Sequence, residues 1–115
     1  MHKLKIKRVY EPYSKDDGYR ILIDRLWPRG LTKQKTHIDL WLKEISPSDS
    51  LRKWFSHEPS KFDEFKKRYI KEIKDEDINK ILNILKDKDV TLLYSAKDKE
   101  HNNAVVLYEL LKSKL

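Results

Sequence analysis

Asp24-Arg25-Leu26-Trp27-Pro28-Arg29-Gly30 sets two arginines and a tryptophan in a segment whose Pro-Arg-Gly breaks regular structure. A guanidinium meets a carboxylate or phosphate with two parallel N–H donors, and a neighbouring indole offers a flat apolar face. A second polar segment runs from Ser95 to Asn103 and holds Lys97, His101 and two amides. His101 is a side chain whose ordinary pKa lies close to neutrality. The chemistry open to these residues is anion binding by Arg25, Arg29 and Lys97, with Trp27 stacking on or closing over the ligand. Asp24 and His101 are the candidates for moving a proton. No nucleophile–base pair is legible, so no reaction class follows. Asn102, at the head of the last helix, completes the expected ligand-binding set. A structural account competes for the same residues, with Asp24 and Arg25 paired to each other and Trp27 covering one edge of a small core.

Both segments follow apolar runs. Tyr19-Arg20-Ile21-Leu22-Ile23 and Val90-Thr91-Leu92-Leu93-Tyr94-Ser95 read as strands, the first buried on both faces. Ligands of open α/β sheets bind outside the carboxyl ends of the strands. Neighbouring positions for these two strands would bring Arg25, Arg29 and Lys97 together near the last helix, whose first N–H groups favour anions. Leu4 to Val9 alternates apolar and basic residues, as a strand with one wet face does, and Glu11 to Gly18 reads as a loop.

Helices fill the middle of the chain. Ile38, Trp41, Leu42 and Ile45 fall at helical spacing behind Thr36 and Asp39, a variant capping box. Ser46-Pro47 breaks that segment and opens a short helix with Leu51, Trp54 and Phe55. His57-Glu58-Pro59 is the next break, where the His57 ring is expected to cap the preceding helix. Ser60 is expected to cap a helix with Phe62, Phe65, Tyr69 and Ile73 on one stripe. A further stripe holds Ile78, Ile81, Leu82 and Leu85, and Asn102 or Asn103 caps a final helix with Val106, Leu107, Leu110 and Leu111. The pattern predicts an α/β fold over residues 1–115. It would be one domain with a single sheet layer, at least partly parallel, flanked by amphipathic helices. Strand order does not follow from it.

Composition narrows the partners. The 115 residues carry 26 Lys and Arg against 19 Asp and Glu, a formal charge of +7. Such an excess attracts anions over roughly a Debye length, ~8–10 Å in physiological salt. The lysines alternate with acids along the whole chain, which describes solvated helix faces better than a basic stripe. Without cysteine there is no disulfide, thiolate nucleophile or sulfur-ligated metal. His37, His57 and His101 lack metal-ligand spacing, and the two glycines, Gly18 and Gly30, form no phosphate-binding loop, so neither metal nor cofactor is expected. No apolar run approaches the ~20 residues that span a bilayer, and the lysine-rich start lacks a signal-peptide core. The expectation is a soluble cytoplasmic protein without membrane contact.

Several segments together resemble one family. They are Asp17-Gly18-Tyr19-Arg20, Asp24 through Leu31, Leu51-Arg52-Lys53-Trp54-Phe55 with His57, and Thr91-Leu92-Leu93-Tyr94 through His101-Asn102. The family is the YeaO-like group of small bacterial and archaeal proteins, number 488 among domains of unknown function. The resemblance runs from about Val9 to Leu111. It implies no activity, but it directs attention to Arg20, Asp24, Arg25, Trp27, Pro28, Arg29 and Gly30, and to Asp39 and Trp41. Further along it reaches Arg52, Trp54, His57, Tyr69, Tyr94, Lys97, Asn102 and Ala104.

Three functions compete. The first is a domain that binds a small phosphate- or nucleotide-like anion at the two loops, as an enzyme or without chemistry. The second is a nucleic-acid-binding accessory protein using Arg20, Arg25, Arg29 and an exposed Trp27. The third is a protein-interaction module built on Trp27 and the His57-Glu58-Pro59 turn. Oligomeric state is not legible.

Overall fold

Val90-Thr91-Leu92-Leu93-Tyr94 has no charged side chain, and a parallel sheet buries such a run between two neighbours. The computed structural model, which describes residues 2–115, puts it there. The strands β1 (Leu4–Arg8), β2 (Tyr19–Leu22), β3 (Leu40–Trp41) and β4 (Val90–Tyr94) lie in the order β1-β4-β2-β3. All three pairings are parallel, with Ile21 opposite Leu92 and Leu22 opposite Leu93 at the centre. The two apolar runs are therefore neighbours, and both polar loops leave the same end of the sheet. Five α-helices complete the described residues: α1 (Lys33–Thr36), α2 (Asp49–Phe55), α3 (Phe62–Glu72), α4 (Asp75–Leu85) and α5 (Asn103–Ser113). The fold is α/β with a fully parallel sheet.

Strand alternation divides the apolar residues between two faces. Leu4, Ile21, Val90 and Leu92 meet Ile78, Ile81 and Leu85 of α4 and Ala104, Leu107 and Leu111 of α5, which form the main core. A satellite core joins Leu51 and Phe55 of α2 to Phe62, Phe65 and Tyr69 of α3 and to Val106. The buried Tyr69 hydroxyl donates to the Ile45 carbonyl at 2.6 Å; burial first, then the charges of Asp24 and Glu72, push its pKa up. The other sheet face carries a smaller cluster of Val9, Leu22 and Leu93 under Trp27, Leu31, Ile38 and Trp41.

That face also buries charge. Arg20 is 2% exposed and donates to Asp17 and to the Thr36 carbonyl at 3.0 and 3.2 Å. Lys7 approaches the same Asp17 at 3.1 Å, and the Thr91 hydroxyl donates to the Asp17 carbonyl at 2.6 Å. Burial raises the Asp17 pKa, but hydrogen bonds from Lys7, the Ser14 N–H and Arg20 outweigh it and hold the carboxyl below its usual range. Gly18, at φ 67°, lets the chain turn into β2, where an added Cβ would meet the Asp89 carbonyl at 2.5 Å.

Local expectations fail at three places. The helix through Ile38, Trp41, Leu42 and Ile45 does not form. Thr32 caps α1 instead, His37 ends it in the left-handed region at φ 50°, and residues 39–42 run along the free edge of β2. The Asp39 N–H donates to the Arg20 carbonyl and the Leu42 N–H to the Leu22 carbonyl, both at 2.9 Å. The Asp39 carboxylate accepts from the Arg20 N–H at 2.9 Å rather than capping a helix. Satisfying the buried edge of a central strand outweighs helical spacing in a short segment. Ser60 makes no cap either, because a 3-10 turn over Pro59–Lys61 leads into α3. Nor does the His57 ring close α2. The Ser56 N–H does so, donating to the Arg52 carbonyl at 3.0 Å, and Ser56 and His57 both turn left-handed.

Candidate functional site

Parallel pairing of β2 with β4 sets Asp24 beside Ser95 and the start of α5. One Asp24 carboxylate oxygen accepts from the Ser95 N–H at 2.9 Å and the Ser95 hydroxyl at 2.8 Å. The other accepts from the Asn103 amide at 3.1 Å, and the Asp24 carbonyl accepts from the Trp41 indole at 2.7 Å. Asp24 thus ties the ends of β2, β3 and β4 to α5. Its carboxylate already has three donors, so the fold itself engages its oxygens.

Asp24 and Arg25 do not pair with each other. The half-exposed Arg25 turns towards α2, donating to the Pro47 carbonyl at 3.3–3.4 Å and standing 3.7 Å from Asp49. Arg52 reaches the same Asp49 at 3.0 Å. Trp27 is not exposed as expected: it is half-buried edge-on against Trp41, with ring centroids 5.3 Å apart, and its N–H donates to the Leu31 carbonyl at 2.7 Å. Leu26 is the apolar side chain this turn presents to solvent, at 61% exposure. Arg20, counted among the cations of a nucleic-acid surface, lies buried on Asp17.

Asn102 is the N-cap of α5, accepting from the Val105 N–H at 3.0 Å and donating to the Asp98 carbonyl at 2.9 Å. Asp98 accepts from the Glu100 and His101 N–H groups at 2.9 and 3.1 Å and faces His101 Nδ1 at 2.9 Å. The Glu100 bond first, then the His101 ring, holds the Asp98 carboxyl below its usual range. His101 packs edge-on against Phe62, centroids 5.2 Å apart. Two carboxylates of the protein itself therefore occupy the loops around the start of α5.

Arg29 and Lys97 remain. Both are exposed, and neither side chain has an ion pair or hydrogen bond among the described residues. Arg29 is placed by its own carbonyl, which accepts from the Tyr10 hydroxyl at 2.8 Å. Arg8, at the end of β1, donates to the Ser95 and Ala96 carbonyls at 3.2 and 3.0 Å, with its guanidinium 4.7 Å over the Tyr10 ring. Lys99 stands 4.0 Å from Glu11. Arg8 and Tyr10 thus bind together the loops after β1, β2 and β4, a role sequence reasoning missed. The signal was available in principle, since Arg8-Val9-Tyr10 also ends a strand, but it carried weight only once β1 was known to be parallel to β4.

Among the described residues no cluster of three or more His, Asp or Glu side chains is arranged to hold a metal, and no helix is long and apolar enough to cross a membrane.

Sheet and loops together define a small, fully parallel α/β protein whose strand ends carry a carboxylate-tied, arginine-bearing rim. The chain belongs to the YeaO-like family: the model described as "Inactive DUF488-N3 subclade" matches residues 3–115. It is 44% identical over 112 residues to the uncharacterized protein YeaO of Escherichia coli (strain K12), covering 96% of this chain and 97% of that one. It is 36% identical over 113 residues to the uncharacterized protein Rv3073c of Mycobacterium tuberculosis (strain H37Rv), covering 97% and 96%. No solved structure matches the chain.

Proposed function

We propose that this protein binds a small phosphate-bearing anion on the rim formed by the loops after β1, β2 and β4, and does so without catalysing a reaction. One observation carries the reading: the carboxylates at the rim are tied down by the fold, Asp98 to the His101 ring among others, while two of its cations are not held. Asp24 accepts three hydrogen bonds and Asp98 accepts from two backbone N–H groups, whereas Arg29 and Lys97 are exposed and unpaired among the described residues. A carboxylate bound in this way has its oxygens engaged by the fold, and an unpaired guanidinium is a ready partner for phosphate. The description of the matching subclade as inactive agrees with binding in place of chemistry. Absence of cysteine fits action in the reducing cytoplasm. A nucleic-acid surface is less favoured because Arg20 is buried, and a Trp27-centred protein interface because that indole is already packed and hydrogen-bonded.

The test is a thermal-shift titration with tripolyphosphate, run on the unmodified protein and on the Arg29→Ala, Lys97→Ala double variant. A ligand that prefers the native state raises the unfolding midpoint with concentration. The midpoint is expected to rise in the unmodified protein and stay put in the double variant. A flat response of the unmodified protein, or an equal rise in both, overturns the proposal.

A further inference from the structure

Tyr10 is set up as more than a loop anchor. Its hydroxyl is bonded to the Arg29 carbonyl, which holds the ring beside the one arginine of the Asp24–Gly30 segment whose side chain is unpaired. The Arg8 guanidinium lies over the ring at 4.7 Å and is itself fastened to the Ser95 and Ala96 carbonyls, directly before Lys97. Tyr10 as a residue nevertheless keeps 39% of its surface in solvent. A tyrosine held at its hydroxyl and backed by a bonded arginine has lost the freedom a loop aromatic normally has, so it can stack on a planar group at low entropic cost. Trp27, the sequence's candidate for stacking, is packed against Trp41 and cannot serve.

We propose that Tyr10 is the stacking platform of the rim and that the bound anion is a nucleoside phosphate. The base lies on the solvent-facing side of the Tyr10 ring, and the phosphate meets Arg29 and Lys97. This rests on the anion-binding reading above and adds the chemical class of the ligand. Base–aromatic stacking is worth about 1–3 kcal/mol by alanine substitution, equivalent to roughly 5- to 150-fold in affinity.

Calorimetric titration with two probes tests it: AMP, and ribose 5-phosphate, which carries the same phosphate and sugar but no base. AMP is expected to bind about 5- to 150-fold more tightly to the unmodified protein. Tyr10→Ala is expected to bring the two affinities together, and Tyr10→Phe, which keeps the ring but loses its hydroxyl tie, to narrow the gap without closing it. Equal affinity of the unmodified protein for both probes overturns the stacking proposal and leaves anion binding standing. Binding of neither probe overturns the nucleoside phosphate, and the tripolyphosphate titration then decides whether anion binding stands. A preference for AMP that survives in Tyr10→Ala overturns the assignment to Tyr10. Should Tyr10→Ala fail to fold, Tyr10→Leu replaces it, keeping apolar bulk without a π-face.

Discussion

Arg20, near the amino end of β2, and Arg29, beyond its carboxyl end, are nine residues apart in one motif-bearing stretch. Arg20 is 2% exposed, and its guanidinium is shared between Asp17 and the Thr36 carbonyl. Its neighbour Tyr13 lies under the guanidinium at 5.3 Å and stacks on His37 at 4.0 Å. Arg29 has solvent around its side chain, and its backbone alone is held. The same residue type thus does opposite work at the two ends of the sheet. In one region charge is consumed in holding loops against a sheet face that no long helix covers. In the other, charge is carried by a rim whose backbone is anchored and two of whose cations, Arg29 and Lys97, stay unpaired among the described residues. Net charge alone would have counted both regions alike.

The comparison breaks most readily at Arg20. Arg20→Met takes one of three donors from the buried Asp17 carboxylate and strips the Thr36 carbonyl of the guanidinium, and is expected to cost about 3–5 kcal/mol in urea unfolding. A loss under about 1 kcal/mol would mean the two arginines are not different in kind. Acid should act on the same cluster. The folded-state pKa of Asp17 lies below its unfolded value, so its contribution is complete above the ordinary aspartate value of about 3.9 and disappears as pH falls through the folded value. Midpoints measured from pH 6 downwards should fall less steeply in Asp17→Asn than in the unmodified protein.

Smaller effects follow at the rim. Asp24→Ala strands the Ser95 and Asn103 donors and is expected to cost about 1–3 kcal/mol by denaturant titration. Arg25→Ala removes a half-exposed pair with Asp49 and should cost at most ~1 kcal/mol, leaving any tripolyphosphate response intact. Arg29→Ala should change stability by no more than ~0.5 kcal/mol while weakening that response. A large stability loss at Arg29 would place it with Arg20 and end the contrast.

Much of the fold was legible because it rests on burial patterns that repeat along the chain. The apolar runs of β2 and β4, the stripes of α2 to α5 and the Asn102 cap each follow from residues a few positions apart. The segment 38–45 was misread because its apolar spacing satisfies a helix and an edge strand alike, and the unpaired edge of β2 decided between them. At the site, both loops and their common end of the sheet were legible. The direction of Arg25 towards α2, the packing of Trp27 on Trp41 and the capture of Asp24 by Ser95 and Asn103 were not, since each depends on a partner 14 or more residues away.

By itself the sequence determined which segments are buried and which loops leave the central strands, because hydrophobic periodicity is written locally. Tertiary structure alone decided which cations are available. An arginine is free or committed according to whether the fold brings a carboxylate or carbonyl within about 3 Å of it, and nothing in its own neighbourhood of the chain states that distance.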